Sequence, residues 1–143
     1  MSRSVLTPLT LLLLLLAPWS SHGSDADRYG VVFHVDSDTK MNHMLRQVGR
    51  HHAANHAMTT RVILIADGVK AALDNATDSS GGAYSAQMEQ LIAAGIRIFA
   101  CETTLTSYGL SADDLAFGVE TIPSGVAELA RLQVRHQWAY IKL

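Results

Sequence analysis

A single cysteine, Cys101, stands in the whole chain, so no internal disulfide can form. Small exported domains often depend on disulfides, and this sequence has to fold without one. It holds three prolines, and aromatic residues make up only 6%. No basic stripe is present, which argues against a nucleic-acid backbone as partner. No glycine-rich loop of the Walker or dinucleotide-binding type follows a strand, and no Gly-x-Ser-x-Gly elbow supplies a hydrolase serine. The lone thiol, without a Cys-x-x-Cys pair, argues against a thioredoxin-like dithiol mechanism.

The first residues have the order of a secretory signal peptide. Arg3 gives a positive start, Leu9 to Leu16 is apolar apart from Thr10, and small residues follow through Ser24. The run is shorter than the roughly 20 residues that span a bilayer. The expectation is cleavage after Gly23, with Ala26 the alternative, so that residues 1–23 are a signal peptide and 24–143 one domain. The protein would be periplasmic or secreted, with no membrane attachment after cleavage. Without Arg3, ten basic residues face thirteen acidic ones, a net charge of about −3.

The domain alternates strand-length apolar runs with segments of helical period. Gly30 to Val35 is the first strand. Thr39 to Met58 reads as a helix, with Met41, Met44, Leu45 and Val48 on one face. Arg61 to Ala66 is the second strand and stops at the Asp67-Gly68 turn signal. Val69 to Leu73 suits a helical turn, and Asp78 to Gly82 a loop. Tyr84 to Ala94 is a helix closed by Gly95. Ile96 to Ala100 is the third strand, with Cys101 at its end and a loop beyond. Ser111 to Asp114 looks like a helix start. Val119 to Ile122 is a short strand, Pro123-Ser124-Gly125 leads into a last helix, and Trp138 to Ile141 closes the sheet. This alternation predicts a three-layer α/β domain: a central, mostly parallel sheet of about five strands with helices on both faces.

In open parallel sheets, ligands bind outside the carboxyl ends of the strands. Three segments reach that edge with functional side chains. His34 and Asp36 end the first strand on one side of it, Asp67 ends the second, and Cys101, Thr103 and Thr104 end the third. A thiol acts as a nucleophile only as thiolate. Backbone N–H groups after Cys101, or the hydroxyls of Thr103 and Thr104, would favour that form, and Glu102 would oppose it if close. Cys101 is therefore either inert in the core, bonded to another chain, or reactive. His51, His52 and His56 crowd one helix, and the step of four puts the last two on one face, a spacing able to hold zinc or copper. No acidic or cysteine ligand lies near them, so a solvated polar face is the better reading and no metal is expected.

The stretch from Leu91 through Cys101 to Leu105 resembles the DsrE/DsrF-like family of sulfur-handling proteins. So do Ile122 to Gln133 with Trp138 to Ile141, and the opening Val32-Phe-His-Val-Asp36. The resemblance implies a compact α/β fold that commonly assembles as a trimer or hexamer, in which Cys101 accepts sulfur as a persulfide and passes it on. Its partners would be small sulfur species or a sulfur-donor protein, with no metal and no organic cofactor. His34, Asp36, Asp67, Thr103 and Thr104 are pocket candidates. Two positions depart from the family's pattern. Thr103 stands where many relatives carry asparagine, and Gln137 where glycine is common. The alternative is a non-enzymatic oligomeric binding or scaffold module with a buried cysteine.

Overall fold

Parallel pairing in a fixed register organises the computed structural model, which describes residues 29–143. The expected signal peptide, residues 1–23, lies outside the described residues. The strands are β1 (Gly30–Val35), β2 (Thr59–Leu64), β3 (Arg97–Cys101), β4 (Glu120–Ile122) and β5 (Ala139–Lys142), and the helices α1 (Met41–Ala54), α2 (Tyr84–Ala93), α3 (Glu102–Ser107) and α4 (Gly125–His136). The sheet runs β4-β3-β2-β1-β5. Every pair in it is parallel. The α/β class therefore stands, with a sheet that is wholly parallel.

Helices cover both faces. On one side, Met41, Met44, Leu45 and Val48 of α1 follow helical spacing and pack with Met88 of α2 and Leu105 of α3 against Val31, Phe33, Val35, Val62 and Leu64. On the other side, Leu129 and Leu132 of α4 meet Val32, Ile63 and Phe99, and Trp138 closes the cluster. Alternate residues of each strand thus enter opposite cores, which explains the near-continuous apolar runs. The Arg61 guanidinium lies 4.8 Å from the Trp138 ring centre and bonds Glu128 at 3.1 Å, tying α4 to β2.

Several boundaries shift from their sequence-based positions. The first helix begins at Met41 after a 3-10 turn at Asp38–Lys40, and it ends at Ala54. There the Asn55 N–H bonds back to the carbonyls of His51 and His52. β2 starts earlier than expected because Thr59 and Thr60 pair with Gly30 and Val31. It stops at Leu64, since Ala66 takes a φ of +49° that no strand continues, and a 3-10 segment runs from Ala66 to Ala72. Gly68 is required there: a Cβ would strike the Val35 carbonyl oxygen. The expected helix start at Ser111 is a single 3-10 turn over Ala112–Asp114, closed by a Ser111–Asp114 capping box. Among the described residues, no helix is long and apolar enough to cross a membrane.

Candidate functional site at the end of strand β3

Cys101 is at once the last residue of β3 and the residue preceding α3, a helix in place of the expected loop. Pairing of Cys101 with Ile122 brings the end of β4 beside it, and the chain turns there into α4. The Gly125 N–H, at the start of α4, donates to Cys101 Sγ at 3.3 Å. Only glycine allows this approach. A Cβ on residue 125 would lie 2.6 Å from Ile65 Cγ1 and 3.2 Å from Ile63 Cγ2.

The thiol is 4% exposed. Burial pushes its pKa up, but the Thr104 hydroxyl and the N–H groups of Gly125, Thr104 and Thr103 outweigh burial and bring it below the ordinary thiol value. Of these groups, Gly125 makes the well-formed hydrogen bond, while α3 has no side-chain cap bond from Cys101. The Thr103 hydroxyl turns away and donates to the Pro123 carbonyl at 2.9 Å, fastening the start of α3 to the segment before α4. Glu102 turns to β4, where its carboxylate accepts from the Thr121 hydroxyl at 2.7 Å. The sulfur therefore lies in a cradle of N–H and O–H groups, the arrangement that favours a thiolate.

The other candidates do not join this cradle. His34 and Asp36 belong to β1 and the segment just after it, and β2 intervenes, a separation of about 10 Å at ordinary strand spacing. His34 Nδ1 meets the Tyr140 hydroxyl at 2.8 Å, and Asp36 pairs with Lys142 at 2.6 Å. Together these contacts hold β5 to the end of β1. Asp67 accepts from the Tyr108 hydroxyl at 2.9 Å and pairs with Lys70 at 2.6 Å, which links the 3-10 segment to the turn after α3. Thr103 and Thr104 are the candidates that the fold brings to Cys101. Sequence reasoning missed Gly125, although Pro123-Ser124-Gly125 carries a signal: a hydroxyl cap before an amphipathic run. Ser124 Oγ does accept the Ala127 N–H.

The histidines do not share one helical face, because α1 ends before His56. The His52 and His56 rings meet edge to face with centres 5.3 Å apart, and His51 packs on Phe33. Among the described residues, no group of three or more His, Cys, Asp or Glu is placed to hold a metal ion.

His34 yields a prediction of its own. Burial lowers its pKa, Asp36 opposes that, and Lys142 and Lys40 add to it. The unfolded chain thus binds a proton that the folded one resists. The stability due to neutral His34 is present above the unfolded value near 6.5 and is lost as pH falls below it. Urea titrations between about pH 7 and 5 are expected to show falling stability, and His34→Gln to flatten that slope.

A model of the DsrE/DsrF-like family matches residues 27–143. The chain belongs to the DsrE/DsrF-like family. A protein of unknown function from Methanobacterium thermoautotrophicum, MTH1491, shares 30% identity and the same fold at a TM-score of 0.72, covering 80% of this chain and 99% of its own. The ychN protein of E. coli is similar at 22% identity and a TM-score of 0.64, covering 81% of this chain and 98% of its own. BT1422 from Bacteroides thetaiotaomicron, also of unknown function, is similar at 16% identity and 0.61, covering 83% and 97%. These last two show the fold alone. No curated protein matches the chain.

Proposed function

We propose that this DsrE/DsrF-like protein is an exported carrier of sulfane sulfur, periplasmic or secreted, working through the Cys101 thiolate as a homo-oligomer. Family membership supports a sulfur-relay type of function in general. The observation that carries the finer reading is the Gly125 N–H aimed at Sγ at 3.3 Å, in a cradle that lowers the thiol's pKa against its burial. The reaction is an exchange. The thiol loses its proton to water, and the thiolate attacks a sulfane sulfur of a polysulfide or a protein persulfide. An Sγ–S bond forms, the donor's S–S bond breaks, and the electron pair leaves on the donor's remaining thiolate. Transfer to an acceptor thiolate is the same step in reverse order.

Incubation with polysulfide followed by mass spectrometry tests this. The expected result is a gain of one sulfur atom that Cys101→Ser abolishes. A thiol that alkylates in the native protein yet gains no sulfur would count against the carrier.

A second reading has its own observation. At 4% exposure, Cys101 is nearly sealed. In a scaffold module it would be silent packing, labelled by thiol reagents only after denaturation, and Cys101→Ser would alter stability alone.

A further inference from the structure

A cavity of about 490 Å³ opens at the carboxyl edge of the sheet, between the segments that follow β1 and β2 and the loop before α2. Its wall residues Ala71 and Tyr84 belong to the core on the α1–α2 side, whereas Cys101 faces α4, so the cavity is separate from the thiol. Its size lies in the range of small-molecule sites.

Two polar groups on its wall keep bonding capacity that no described residue uses. Tyr84 is 7% exposed, yet its hydroxyl makes no hydrogen bond to any described residue, and it is not among the polar atoms sealed from solvent. The small part of Tyr84 that solvent reaches includes its hydroxyl, and Tyr84 lines the cavity. Burial, with Asp78 and Asp38 nearby, pushes its pKa up, so at neutral pH the hydroxyl is protonated and can donate to a ligand. Asp38 is the second group. Its Oδ1 takes the Thr39 N–H at 2.7 Å, and no other bond from a described residue occupies the carboxylate.

The remaining charges are committed. Asp78 Oδ1 accepts from the Ser80 N–H, the Ser80 hydroxyl and the Gly82 N–H, and Oδ2 from Asn42. Lys70 is held by Asp67. The charged residues on the wall itself are Asp38 and Lys70, and with Lys70 paired to Asp67 the carboxylate left open there is that of Asp38. An open carboxylate favours a positively charged ligand group. The hydroxyls of Thr77 and Ser79 on the wall suit a ligand rich in hydroxyls.

We propose that this cavity binds a small hydroxylated molecule bearing an ammonium group, with the ammonium on Asp38 and a ligand oxygen accepting from Tyr84. Glucosamine, N-acetylglucosamine and glucose are probes built on one ring that differ only in the substituent at a single carbon. Titrated into the isotope-labelled protein and followed by NMR, glucosamine is expected to shift the amides of Asp38, Thr39, Ala71, Thr77 and Ser79 saturably. The two neutral sugars are expected to bind about tenfold more weakly or worse, as loss of a charge-assisted bond requires. Asp38→Asn should weaken glucosamine to a similar extent. Tyr84→Phe should weaken it less and leave the melting temperature unchanged, because the hydroxyl bonds nothing within the described chain. Equal binding of the three sugars, no saturable shift with any of them, or an affinity untouched by Asp38→Asn overturns the proposal.

Discussion

Gly125→Ala is expected to raise the Cys101 pKa and to destabilise the fold by about 1–3 kcal/mol, the usual cost of an added methyl in a filled core. The new Cβ would sit 2.6 and 2.8 Å from Ile65 Cγ1 and Cδ1 and 3.2 Å from Ile63 Cγ2, and the expectation is that the start of α4 yields, because both isoleucines press on it. That movement carries the Gly125 N–H off the sulfur, and burial, which opposes the thiolate, then meets less resistance. Thiolate absorbance in the ultraviolet, followed against pH, reads the first effect, and urea denaturation the second. The double variant Gly125→Ala, Ile65→Ala makes room for the methyl and is expected to recover much of both losses. If Gly125→Ala leaves the thiol titration where it was, the amide is not what favours the thiolate. Sulfur uptake would then have to rest on Thr104 and the N–H groups of α3.

A larger loss of stability than that of Gly125→Ala is expected from Gly30→Ala. A Cβ at this first position of β1 would fall inside the Trp138 indole, against three of its ring carbons. Trp138 cannot easily give way. It is 4% exposed, its backbone N–H bonds the Leu132 carbonyl at 3.1 Å, and the Arg61 guanidinium lies over the ring. The added methyl is expected to cost about 3 kcal/mol, the upper end for overpacking. Trp138→Ala removes the obstacle and costs about 3–5 kcal/mol as a cavity. The two changes share one space, so the double variant should cost less than their sum. Denaturation of the three variants checks this, and strict additivity would show that the indole and Gly30 do not compete.

Periodicity and punctuation carry far in this chain. The spacing of Met41, Met44, Leu45 and Val48 placed α1, and β-branched runs placed β1 and β2, because in each case burial on one face or both leaves a pattern in neighbouring residues. The end of β3 at Cys101 was legible within one residue for the same reason. Boundaries failed where pairing partners decided them. Thr59 and Thr60 extend β2 because Gly30 and Val31 lie beside them, and nothing within residues 59 and 60 records that neighbour.

The site divides in the same way. The sequence alone determined that one thiol would stand at the carboxyl edge of a parallel sheet, with two threonines just after it, since local order along the chain fixes both. Only the tertiary structure decided that Gly125 reaches the sulfur, that His34 and Asp36 serve β5 instead, and that Tyr84, its hydroxyl bonded to no described residue, shares a cavity wall with Asp38. Those contacts join residues far apart in the chain through strand order and helix crossing. Such geometry follows from the packing of the whole domain and leaves no trace in local spacing.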